Sequence, residues 1–256
     1  MDKMISRKHQ NELTRYAARF WAGEAEIAQM FFAARRTPEE HLVWLRVQAY
    51  KELQPRTDGI ILRNIQQLAN NYPSLEKGVT RSDFLYNIQF LEEEFRHYVV
   101  FADIIDYITG GNLTTEELAT YDTEGEQKLR QVRRECYERH GELGRFASSF
   151  CEGGGASIFY EGMQISGDPL SNKIAAACKN VYDDEVDHAA HGASDLNTIA
   201  QTETDWALAK EMVTSISMQR LYMRNEEFSF PITSERIEEI AQGDIELPDR
   251  LSSLLV

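Results

Sequence analysis

The chain has 256 residues, 42% of them hydrophobic, which is enough for one large core, and we read residues 1–256 as a single domain. Its 42 acidic against 27 basic residues give a formal charge of −15, a surface that repels phosphate backbones and anionic membranes, so nucleic acid and membrane are not expected as partners. The start MDKMISRKHQ lacks an apolar signal core, no segment reaches the ~18 apolar residues of a membrane span, and three cysteines without CxxC spacing suit neither a disulfide framework nor a thiolate zinc site, so a soluble cytoplasmic protein is expected.

Apolar residues recur at three- and four-residue intervals along nearly the whole chain, which predicts an all-α protein. A first helix is expected over about Asn11 to Arg36, then a second with Thr37 as N-cap and Pro38 in its first turn. Pro55 and Gly59 kink or split that second helix. NNYPSLEKGVTRSD is a connection, and a helix follows from about Ser82 to Ile108, stopped by TGGN. A long helical stretch then covers about Gly125 to Ile165, and SGDP turns the chain into a helix from Pro169 to about Gln201. A last long helix runs from Thr204 to about Phe228, before the short amphipathic piece SERIEEIAQG. Long helices joined by short turns predict an antiparallel bundle, with a core of about 39–201 and the 11–36 and 204–228 helices flanking it.

Two stretches carry metal-ligand spacing. In NVYDDEVDHAAH, Glu185 and His188 stand one turn apart on one helical face, and Glu94 and His97 do the same in FLEEEFRHYVVF. Glu185 lies 17 residues beyond the turn at Asp168, about 26 Å along a helix, so a level partner belongs near residue 150. Glu152 is there, with Ser148, Ser149, Gly155, Ala156 and Phe159 as uncharged inward neighbours. A lone acid on such a face is costly unless it is paired or binds a cation, whereas Glu161 should face elsewhere. For Glu94, 12 residues beyond Ser82, the level partner falls near residue 60. Asp58 fits that register but also suits a helix cap, while Glu52 is the commoner ligand type and lies about 9 Å off the level.

This ordered set of carboxylate, ExxH, carboxylate and ExxH resembles the ferritin-like di-iron carboxylate superfamily over roughly residues 39–201. The resemblance implies a ferritin-like four-helix bundle with additional flanking helices. Its metal ligands would be Glu94, His97, Glu152, Glu185 and His188, with Asp58 or Glu52 as the first carboxylate. Glu93 and Asp184 match the acids that support ligand histidines in bacterial multicomponent monooxygenases, and His191 either extends the site itself, supports a ligand from behind or is a surface residue. Nitrogen and oxygen ligands without thiolate suit two iron ions, with manganese as the alternative metal.

Two departures narrow the family. Phe101 stands where the small subunit of ribonucleotide reductase has its radical tyrosine, and Ala156 stands where many multicomponent monooxygenases have a threonine. The glycine run EGGGAS disfavours a helix by roughly 0.8–1 kcal/mol per glycine, which a substrate or oxygen pocket lined by Ser148, Ser149, Gly155, Ala156, Phe101 and Phe159 would explain; close helix crossing is the alternative. Arg220 and Arg224, one turn apart, are expected to pair with glutamates of their own helix. The expected function is a non-haem di-iron oxygenase, in preference to an oxidase, acting on a small organic substrate. Its partners would be dioxygen, that substrate, an electron donor or reductase and, as an open possibility, a second copy of the chain. A non-catalytic iron-handling protein is the alternative.

Overall fold

The computed structural model describes residues 3–56 and 59–252, of which the side chains of 3–6, 186–194, 250 and 252 are not described. It is all-helical, with no strand among the described residues. In chain order the helices are α1 (Lys3–Phe32), α2 (Pro38–Leu53), α3 (Ile60–Asn71), α4 (Arg81–Thr109), α5 (Thr115–Leu118) and α6 (Glu124–His140). They continue with α7 (Glu142–Phe150), α8 (Gly153–Gly162), α9 (Pro169–Ile199), α10 (Glu203–Glu227), α11 (Ser234–Gln242) and α12 (Asp249–Ser252). None of the described helices is long and apolar enough to cross a membrane.

Threonine starts six of these helices. Thr37, Thr80, Thr114, Thr123, Thr202 and Thr233 each accept a hydrogen bond from the backbone N–H three residues on, a cap worth about 1 kcal/mol. At Thr37 and Thr202 the bond is returned by Glu40 and Asp205, closing a capping box. The expected second helix is split rather than kinked. Gln54, which precedes Pro55 and so disfavours the right-handed helical region, turns left-handed at φ 43° and ends α2. The stretch expected as one helix over 125–165 is three. Gly141 breaks it at φ 55°, and tight turns at Cys151 and Glu152, whose N–H groups reach only three residues back, break it again before the glycines.

The chain divides into two compact units, one made of Met1–Arg35, Thr123–Gly167 and Cys178–Val256, the other of Arg36–Asp122 and Asp168–Ala177. In the first unit α1 packs along α8 and α10, and α10 packs on α6 and α7. Helices α1 and α10, expected as flanks, supply much of this unit's core: Ala17, Ala18, Trp21 and Ala22 from one, Trp206, Val213 and Ile216 from the other. The alanines let a neighbouring backbone come close, and Trp21 fills the space against Phe150, ring centres 5.7 Å apart. In the second unit α2 packs along α4, with α3 on the same helix. Trp44 and Phe101 meet edge to face at 5.9 Å in its core, and the Trp44 Nε1–H donates to Nδ1 of the buried His41 at 3.2 Å. Cys136, Cys151 and Cys178 are free, buried thiols, as their lack of motif implied.

Candidate metal centre

Within the second unit, Glu52, Glu94 and His97 each offer a ligand atom within 4.8 Å of the other two. Glu52 sits in the last turn of α2, and Glu94 and His97 lie one turn apart on the inward face of α4. His97 is fully buried, and Glu52 and Glu94 are 7% and 8% exposed. The Gln48 side-chain amide donates to Glu52 Oε1, which fixes that carboxylate's rotation. Glu52 Oε2 lies 3.7 Å from His97 Nδ1, longer than a hydrogen bond. Bonds of about 2.1 Å to one cation place neighbouring ligand atoms roughly 3 Å apart, so small side-chain rotations would close this set around an ion. Two buried carboxylates are unfavourable unless a cation or donors compensate them, and the oxygen and nitrogen donors fit iron or manganese.

Of the two candidates for the first carboxylate, the structure brings Glu52 to the ExxH pair; Asp58 lies outside the described residues. Counting levels back from Ser82 points near residue 60 and not to Glu52, because the count supposes a direct connection between the paired helices. The helix that pairs with Glu94 is α2, and α3 with its following turn lies between. Phe101, one turn beyond His97 on the same face, packs on Trp44. Glu93 is half-buried.

The second set belongs to the first unit. Glu152 is half-buried at the N-terminus of α8, and Glu185 is half-buried on α9, with Asp184 beside it. The side chains of His188 and His191 lie outside the described residues. Ser148, Ser149 and Ala156 are half-buried and Gly155 and Phe159 buried. Glu161 points elsewhere, lining a surface hollow with Glu26 and Arg236.

The glycine run has a packing role at its first two positions. A Cβ on Gly153 would stand 2.9 Å from the Trp21 ring, and one on Gly154 would run into the Glu24 carboxylate. The close approach of α1 to α8 thus offsets the weak helix propensity there, the close helix crossing that stood as the alternative to a pocket. A Cβ on Gly155 would lie 3.0 Å from Glu185 Oε2 and 4.0 Å from Arg220 Nη2. Gly154→Ala is therefore expected to destabilise the protein by about 1–3 kcal/mol, seen as a lower urea midpoint at unchanged slope. An unchanged midpoint would mean that Glu24 moves aside without loss.

Glu24 itself was missed in the sequence. It is 1% exposed and receives two hydrogen bonds from Arg220, at 2.7 and 2.9 Å, and one from Arg224 at 3.1 Å. Arg224 also donates to Glu227 at 2.7 Å, the pairing within its own helix that was expected of both arginines, whereas Arg220 pairs with Glu24 of α1. Burial alone would push the Glu24 carboxyl up, but the Arg220 and Arg224 charges outweigh it and hold it below its ordinary value. Burial likewise opposes the Arg220 charge, and Glu24 overcomes this and holds the guanidinium protonated. The visible signal was a glutamate inside the alanine-rich WAGEAEIAQ, matched to two arginines one turn apart far along the chain.

No family model, no curated protein and no solved structure matches this chain.

Proposed function

We propose that the protein is a di-iron, dioxygen-dependent oxidoreductase acting on a small organic molecule. The buried Glu52, Glu94 and His97 cluster carries this reading, because two carboxylates and an imidazole are drawn together out of contact with water. These three residues would hold iron, and the sequence pattern names Glu152, Glu185 and His188 of the first unit as further ligands. Reduced iron would supply the binding and activation of dioxygen. The chain's own contribution is to keep the His97 imidazole away from water, to turn Glu52 through Gln48, and to supply the carboxylate charge that makes a buried cation favourable. The ordered repeat of carboxylate and ExxH in both units supports two ions over one.

The test is oxygen consumption by the protein loaded anaerobically with iron and reduced, with and without panels of small organic molecules. Wild type is expected to bind two irons per chain and to consume oxygen faster with one substrate class, giving an oxidised product. Two irons with oxygen uptake that no organic molecule alters would support iron handling in place of an oxygenase. Zinc alone, or no metal after growth in iron-rich medium, would overturn the metal reading.

A further inference from the structure

Helix α4 carries its metal-ligand candidates on one face and an uncovered apolar seam on the other. Glu94, His97 and Phe101 are buried. About half a turn away, Leu85, Ile88, Phe95 and Val99 are exposed by 55%, 44%, 46% and 37%. The series 85, 88, 92, 95, 99 alternates steps of three and four, the 3.5-residue repeat by which a helix presents a seam to another helix. Its central member is Glu92, whose Oε1 lies 3.5 Å from Arg96 Nη1. Helix α3 adds Leu62 and Ile65, 50% and 48% exposed, and carries a single charge, Arg63. Scattered surface leucines are ordinary, but apolar residues in helical register over four turns are not.

We propose that this face is a homodimer interface, in which α4 packs antiparallel on α4 of a second copy about a two-fold axis near Glu92. Area, charge and register each favour a second copy. Six side chains of roughly 150–200 Å², each about half exposed, present on the order of 500 Å² of apolar surface, close to the apolar share of the ~800 Å² per partner in a standard interface. The chain as a whole carries −15, yet this face holds one carboxylate, Glu92, and two guanidinium groups, Arg63 and Arg96, so it offers no negative field to steer a basic partner and little repulsion to a like copy. A two-fold at position 92 sets Leu85 opposite Val99 of the partner subunit and Ile88 beside Phe95 of the partner subunit. It sets the two Glu92 side chains at the axis, each one helical turn from Arg96 of the partner subunit, whose guanidinium offsets the like charges.

Sedimentation velocity of the full chain at tens of micromolar tests this, and it does not depend on the metal reading. Wild type is expected at twice the 29.4 kDa chain mass, and Ile88→Glu with Phe95→Glu at the single-chain mass with unchanged helical circular dichroism. Met30→Glu, at an exposed apolar position of α1, is expected to leave the dimer intact. Glu92→Arg alone should weaken the dimer at least about tenfold by crowding cations at the axis, and adding Arg96→Glu should restore it. A wild-type monomer throughout, or a dimer that survives Ile88→Glu with Phe95→Glu, would overturn the proposal. Failure of the double charge exchange to restore the dimer would overturn the axis at Glu92.

Discussion

Glu24→Ala is expected to lower stability by about 3–5 kcal/mol, the typical cost of removing one partner from a buried ion pair. The variant would leave Arg220 without either of its carboxylate bonds and Arg224 with Glu227, both guanidinium groups still buried. Arg220→Met combined with Glu24→Leu should recover part of the loss, because an apolar pair leaves no uncompensated charge. The pH dependence has a defined sign. Because the folded carboxyl of Glu24 is held below its ordinary 4.5, its contribution is fully present above that value and is lost as pH falls through the lower, folded value. The stability gap between wild type and Glu24→Ala should therefore be constant near neutrality and shrink in acid. Urea unfolding at a series of pH values measures both quantities, and a loss under about 1 kcal/mol at neutral pH would show that the network is not a major support.

His97→Ala is expected to lose at least one of two irons per chain while the helical content stays unchanged. The imidazole is fully buried beside two carboxylates, so its removal takes the only nitrogen donor of that cluster and leaves its acids closer to mutual repulsion. Glu52→Gln should cause a loss of similar size, and Asp58→Asn should not. Glu93→Gln, one residue before a proposed ligand, should weaken iron binding by roughly 10–100-fold if its carboxylate supports His97. Iron per chain after anaerobic loading and desalting measures all four. Retention of both irons by His97→Ala, or loss in Asp58→Asn with none in Glu52→Gln, would contradict the assignment of this cluster.

Local rules were enough for the helical class, most helix ends and the pairing of Glu94 with His97. Periodicity, threonine caps and the left-handed glycines at Gly110 and Gly243 act within a few residues, so they can be read from a short window of chain. The three-residue spacing of Glu94 and His97 is local in the same sense, and their shared helical face followed from it. Which carboxylate meets them did not follow. That depended on α2 pairing with α4 across the inserted α3, a long-range packing choice that made Glu52 the neighbour. The same holds for Glu24. A helix's own sequence shows that a charge lies among alanines, but only the packing of α1 on α8 and α10 decided that Arg220 and Arg224 would compensate it and that Gly154 would make room for it. Spacing along one helix is set by 3.6 residues per turn, whereas contact between helices is set by which apolar faces bury one another, and no short window of sequence contains that choice.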